Sequence, residues 1–405
     1  MKRTKSILIC GAGVAGPACA WWLKRYGFKV VVAEKAASFR EGGQNVDVKG
    51  AGQQVIAMMN LTMQIDAMNT GECGQKWLDA AGRVLATLPK GSVGGLTSDF
   101  EILRGNLARI LFDATRDACD YRFGTSVVAL DESAEGVWVT FATGAVEEFA
   151  MVICADGVGS STRALALAKQ TRLRYLGAYM AFFTIPRRAG DDSWAYSVNG
   201  IGGTMIHLRP GGLANTTVLV TFPAAPPAPH EKQVNSVHDA RHMLRAALSG
   251  RGTVAERIVG ELDAVRDFYF GPMSQVQASH WSSGRLVLLG DAAHCPTPFT
   301  GKGTALALVG AYVLAGEIMR CASHTEAFDA YETILRPYVE KTQQELTPRL
   351  VRMLHVKTRS GIAIARFVQR LLGSRFIQYL LAPRAVAHAR SVEADFALPR
   401  YQTDA

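Results

Sequence analysis

The first forty residues read as one unit of hydrophobic patterning. Ser6-Ile7-Leu8-Ile9-Cys10 is a short apolar run of buried-strand type, and Gly11-Ala12-Gly13-Val14-Ala15-Gly16 follows without a gap. Pro17 to Tyr26 is helix-compatible, Gly27 is a stop signal, and Phe28-Lys29-Val30-Val31-Val32-Ala33 is a second strand ending at Glu34. Two more apolar strands run into Gly/Asp turns: Met151 to Ala155 into Asp156-Gly157, and Arg285 to Leu289 into Gly290-Asp291. A different period governs the middle of the chain. Met180 to Ile185, Gly203 to Arg209 and Thr216 to Phe222 read as strands, with Gly211-Gly212 between the last two. Asn235 to Val265 and Ala305 to Ile318 read as helical. Near the C-terminus Ile364, Phe367, Val368, Leu371 and Leu372 fall at helical spacing, with Arg366 and Arg370 on other faces, and Gly373 interrupts before Phe376 to Leu381.

Strand, G-x-G-x-x-G, helix, strand and acid form a dinucleotide-binding fingerprint in its required context. Gly11 permits the tight turn, Gly13 admits a pyrophosphate to the backbone, and Gly16 lets helix and strand pack closely. Helix N-terminal amides near Ala15 would face the phosphates, and Glu34, with Lys35 beside it, would receive a ribose diol. Met1 to Lys5 is basic and Ala18-Cys19-Ala20 imitates a cleavage site, so the same stretch mimics a secretory signal. The strand–loop–helix–strand reading is the stronger one.

An acid at Glu34 suits NAD and FAD equally. Asp291 stands at a strand's C-terminal end, where it would bind a ribityl hydroxyl. The Pro298, Gly301, Gly303, Thr304 stretch after it shapes a loop whose amides would face an isoalloxazine carbonyl or a phosphate. On the residues alone, a surface turn before a packed helix stays open.

Composition narrows the classes. The 405 residues carry 44 Lys plus Arg against 35 Asp plus Glu, a formal charge of +9, yet the basic residues are scattered, so nucleic-acid binding is not expected. The charge suits attraction of phosphorylated cofactors. No run reaches the roughly 20 uncharged residues of a membrane span. Seven widely spaced cysteines without C-x-x-C read as reduced thiols, which suggests a cytoplasmic protein without a disulfide framework or zinc. His238 and His242 at helical spacing lack a third ligand, so no metal is expected.

In order and spacing, these motifs resemble the group A flavoprotein monooxygenases, the family of para-hydroxybenzoate hydroxylase. Gly11-x-Gly13-x-x-Gly16 is similar to its FAD fingerprint, Asp156-Gly157 to its DG motif, and Gly290-Asp291 with Pro298-x-x-Gly301-x-Gly303 to its GD motif. Glu101-Ile102-Leu103-Arg104-Gly105-Asn106-Leu107 resembles the segment whose arginine contacts the flavin, which implies that role for Arg104. Within the family, Gly42 to Val48, Leu176 to Tyr179, Val309 to Ala315 and Leu398 to Tyr401 look like the polyketide hydroxylases and tetracycline-inactivating monooxygenases. The chain departs at Thr304-Ala305, where many relatives have a small residue and then Asn, and at Gly310, where many have Asp. Both positions are expected near the flavin.

The resemblance implies an α/β architecture. A discontinuous Rossmann-like FAD-binding domain (1–75, 101–172, 280–345) would carry an inserted β-sheet substrate domain (76–100, 173–279) and C-terminal helices (346–405). It implies NAD(P)H and O2 as co-substrates, a C4a-hydroperoxyflavin, and hydroxylation of an aromatic or fused-ring, polyketide-like molecule, with tetracyclines as one specific candidate. A monomer or weak dimer is expected. The roof sheet would supply substrate contacts, with Tyr179, Phe183, Met205 and His207 as candidates, although alternation alone does not say which parity faces inward. His294 reads as loop-shaping rather than proton-transferring, and the C-terminal amphipathic helix as packing across the two domains rather than lying on a membrane. A flavin-dependent reductase of isoprenoid chains and a non-enzymatic flavin-loaded regulator are the alternatives.

Overall fold

The computed structural model describes residues 6–39, 42–92, 100–212, 214–226, 236–374, 377–378 and 396–401. Two sheets organise it, and they obey different rules of burial.

The nucleotide sheet has six strands in the order Ser282–Ser283, Leu286–Leu288, Met151–Cys154, Ile7–Cys10, Val30–Glu34, Asp120–Phe123. All pair in parallel except the first. The central strands are apolar at every position because helices cover the sheet and leave no wet face. Helix Ala15–Arg25 packs along helix Gly303–Arg320, which is buried continuously from Ala305 to Ile318. Burying each of its large aliphatic side chains contributes roughly 1.5–3 kcal/mol. By length and hydropathy this helix could cross a membrane, but 78% of it lies inside the core. The helix His324–Gln344 begins with a capping box between Ser323 and Glu326 and packs against it.

The roof sheet has seven strands in the order Tyr269–Ala278, Thr171–Pro186, Asn215–Pro223, Met205–Pro210, Ala195–Asn199, Gly74–Leu78, Val84–Pro89. Directly opposed residues share a face. Register therefore puts Tyr179, Phe222, Ala181, Val220, Ile206, Phe183, Val218 and Leu208 on one face, and all of these are buried. Helices Val237–Leu248 and Thr253–Glu261 cover that face and share its core. The helical stretch expected from Asn235 to Val265 is thus two helices, broken by a positive φ at Gly250 and Gly252. Asn235 itself lies outside the described residues.

After the nucleotide domain the chain forms helices Pro348–Leu354 and Arg359–Leu372. The second differs from expectation. Only Ile362 is buried, while Ile364 and Phe367 are 65% and 63% exposed. The helix is held at its C-terminal end, where Gly373 lies close to Ala86 and Thr87 of the edge strand, so its apolar stripe is not packed between domains. The stretch Phe376 to Leu381 falls almost wholly outside the described residues. Phe396 to Tyr401 returns to the core: Tyr312 Oη donates to the Pro399 carbonyl at 2.7 Å, and Tyr401 Oη donates to Glu317 at 2.8 Å.

Candidate active site

The glycine-rich turn is built from close approaches. Gly11 has φ +109°, and a β-carbon there would stand 2.6 Å from the Ala155 carbonyl. A β-carbon on Gly16 would collide with the Gly11 carbonyl. Glu34 braces the turn: its Oε2 accepts from the Ala12 N–H and its Oε1 from the Ala36 N–H, both at 2.9 Å. The carboxylate is thereby held at the strand's end with lone pairs to spare for a diol. Lys35, next to it, is exposed.

Three segments converge on this turn. Arg104 starts helix Arg104–Asp113, and its Nη2 lies 3.3 Å from where a Gly13 β-carbon would be. Asp291 starts the short helix Asp291–His294, and burial raises its pKa against the opposing pull of Arg104 and a hydrogen bond with Cys295. Gly290, at φ +62°, packs its backbone within 2.9 Å (β-carbon position) of the Ala15 side chain, so Ala15 joins the two motifs by contact. Gly303 lies beside Asp291, and Gly301 beside Asp47 and Lys49. Pro298 opens the turn Pro298–Thr300, and Thr304 sits in the first turn of the helix after it.

Asp156 is engaged locally. It accepts from the Ser160 hydroxyl and, at 3.1 Å, from the Thr162 N–H, which closes the turn around Gly157 (φ +86°). The motif's link to the rest of the site is a residue that no motif singles out. Arg163 donates to the Val158 carbonyl at 2.8 Å and to the Ala292 carbonyl at 2.9 Å, which fastens the Asp156 turn to the Asp291 turn.

The two departures from the family pattern sit in packed contacts. Gly310 does not face this site. Its β-carbon position is 3.3 Å from Leu289 and from Leu335, inside the packing of strand and helix. Ala305 packs against Gly52, and the helix Ala51–Met58 depends on that closeness. His294 is buried 5.0 Å from the Trp281 ring, and burial pushes its pKa down to about 3, so it is a neutral wall of the loop.

These residues fit FAD. The fingerprint turn offers a cradle that β-carbons would fill, and Thr297 in the loop after Asp291 keeps φ +88°, a strained value for a β-branched residue, with its buried hydroxyl unpartnered among the described residues. Asp47, beside Gly301, pairs with Lys49 through Oδ2, while its Oδ1 is buried without a partner among the described residues. Strain and unmet hydrogen bonding in one loop mark a place shaped for a polar ligand.

The uncovered face of the roof sheet overlooks this loop. Met205, His207, Leu219, Thr221, Phe182 and Tyr269 share it by register. The His207 ring lies edge-on to Phe299 at 6.5 Å, and Tyr269 feels the charges of Asp291 and Arg104. Tyr179 and Phe183 were expected among these residues; they lie on the helix-covered face, where Tyr179 stacks on Phe222. Met205 and His207 are the candidates the structure brings to the site. Phe182 and Tyr269 were missed because nothing in the sequence anchored the parity of the alternation. His355 closes the same face, its Nε2 and the Thr221 hydroxyl 3.0 Å apart.

Residues 4–345 match the FAD binding domain family, and the chain belongs to it. A flavin-dependent monooxygenase from an unknown prokaryotic organism is 35% identical over 350 residues, covering 85% of this chain and 88% of that one. A flavin-dependent monooxygenase of Legionella longbeachae serogroup 1 (strain NSW150) is 34% identical with the same coverage. The solved structure of tetracycline destructase Tet(55) superposes with a TM-score of 0.82 at 28% identity, over 99% of this chain and all of that one. The protein is an FAD-dependent monooxygenase of the group A type and resembles the tetracycline destructases.

Proposed function

We propose that this chain takes electrons from NAD(P)H and places one oxygen atom of O2 on an electron-rich aromatic or fused-ring, polyketide-like substrate. Tetracycline antibiotics are the first candidates. The observation that carries this reading is the roof face turned away from the helices: Met205, Leu219, Phe182 and Tyr269 lie beside His207 and its polar neighbours, with His207 facing Phe299 in the loop after Asp291. The likeness to tetracycline destructase Tet(55) supports the substrate class.

FAD, when bound, supplies the oxygen activation. The protein's work is to hold, orient and keep dry. The Gly11, Gly13 and Gly16 turn and the amides about Ala15 would bind the pyrophosphate, with Lys35 near the adenosine side, and Glu34 would bind the ribose diol. Asp291 would hold a ribityl hydroxyl, Arg104 would reach the flavin cofactor over the Gly13 turn, and Pro298, Gly301, Gly303 and Thr304 would line the isoalloxazine. Asp156 and Gly157 serve by shaping the turn that Arg163 fastens to this wall. Met205 and His207 contact the substrate. For each turnover one oxygen ends on the substrate, and the other leaves as water with the hydride electrons and a proton.

The test is NAD(P)H oxidation and oxygen uptake by the FAD-loaded chain with and without tetracycline. Stimulated, matched consumption is the expected result. Substrate-dependent NAD(P)H oxidation without oxygen uptake would instead mark a reductase.

A further inference from the structure

On the roof face turned away from the helices a line of three side chains leaves one unmet group at each end among the described residues, Gln75 Oε1 and His207 Nε2. Gln75 Nε2 donates to Ser197 Oγ at 2.7 Å, and Ser197 Oγ lies 2.8 Å from His207 Nδ1. Gln75 and Ser197 are 3% and 2% exposed, so no water competes for these bonds. The imidazole's other nitrogen, Nε2, is buried and has no partner among the described residues. A hydroxyl that accepts from an amide has one proton to give, and the acceptor within reach is Nδ1. The neutral ring then carries its own proton on Nε2.

The geometry points to His207 as a fixed, neutral Nε2–H donor aimed at the substrate, with Gln75 and Ser197 as positioning residues that set its tautomer, so that the substrate must present an acceptor oxygen there: a carbonyl, or an ionised phenol or enol. This rests on the monooxygenase reading and narrows its substrate class. The ring does not supply charge, since burial lowers its pKa to about 4, with Arg209 and His355 acting in the same direction. Arg209, next along the same face, is already committed to Glu72 and Glu101. The oxygen is therefore recognised by one oriented N–H and not by a cation. A ring system without the oxygen would leave that N–H buried and unpaired, a penalty of about ten- to a hundredfold in affinity.

The tautomer can be read directly. In the FAD-loaded full chain with isotopically labelled histidine, long-range proton–nitrogen correlation separates Nε2–H from Nδ1–H rings, and His207→Gln identifies the signal among the nine histidines. His207 is expected as the Nε2–H form at near-neutral pH. Ser197→Ala is expected to mix the tautomers, and Gln75→Met tests the same line from its far end should Ser197→Ala not fold. The probe is the hydroxynaphthoquinone lawsone, an ionised enol at that pH, against naphthalene. Lawsone is expected to move the Nε2–H resonance downfield and naphthalene to leave it in place. An Nδ1–H ring in the wild type, a tautomer unchanged by both substitutions, or no response to lawsone overturns the proposal. None of these readings requires turnover, so they stay separate from failure of the monooxygenase assignment.

Discussion

Gly13 and Arg104 share one space: a β-carbon on Gly13 would come to 3.3 Å from Arg104 Nη2. The guanidinium thus overhangs the turn that would hold the pyrophosphate, although the two residues are 91 positions apart in the chain. Gly13→Ala should push aside the flexible end of Arg104 and leave the core untouched. The expected result is a rise of about tenfold or more in the FAD dissociation constant, with the melting temperature of the FAD-free chain unchanged. Flavin fluorescence titration beside thermal melting checks both halves.

Gly316 holds open the seat for Tyr401, whose ring occupies the place a β-carbon would take. Tyr401 also bonds Glu317, a carboxylate 1% exposed in the core helix. Gly316→Leu should expel the C-terminal segment and destabilise the chain by about 1–3 kcal/mol, the usual cost of overpacking. Tyr401→Ala should destabilise without that clash, and the double variant should cost less than the sum. Urea unfolding of the three variants measures the coupling.

The roof sheet meets the strand Glu101–Leu103 at a buried charge cluster. Arg209 of the roof sheet pairs with Glu72 and with Glu101, and Glu101 also accepts from Asn45 at 2.7 Å and Thr70 at 2.6 Å. Burial raises the Glu101 pKa, with Arg209 pulling the other way. Arg209→Met leaves two carboxylates in a dry site, and about 3–5 kcal/mol of stability should be lost. Adding Glu72→Gln and Glu101→Gln to that variant should restore much of it. Denaturant midpoints of the single and triple variants decide this.

His207 gives a pH dependence of definite sign. Its folded pKa is about 4 against an ordinary 6.5, so the unfolded chain takes up the proton first. Stability from this residue is complete above the ordinary value and is lost as pH falls toward 4. His207→Asn should flatten the stability–pH curve between those limits. Some slope will remain from His294, which is depressed further, to about 3. Melting temperatures at a series of pH values compare the two proteins.

How much of this was legible in the sequence depends on whether the information was local. The fingerprint turn was fully legible, because Gly11, Gly16 and Glu34 each answer a constraint set by the strand and helix beside them. The C-terminal helix was legible as amphipathic, but its apolar stripe at Ile364 and Phe367 is exposed, because packing across domains is decided by neighbours distant in sequence. The face of Tyr179 and Phe183 was illegible for the same reason. Period-2 alternation gives two equal solutions, and only the helices near Leu244 and Ile258 choose between them. The Asp156 turn was legible as a motif, but its tie to the Asp291 turn runs through Arg163, whose two carbonyl partners no motif encodes.

If oxygen from O2 enters a ring substrate held under His207, the label must follow it. Turnover of the FAD-loaded chain with NAD(P)H and tetracycline under isotopically labelled O2, followed by product mass, tests it most directly. A product heavier by one labelled oxygen atom is the expected result. NAD(P)H consumption that yields only hydrogen peroxide, or a product whose new oxygen is unlabelled and so comes from water, would contradict it.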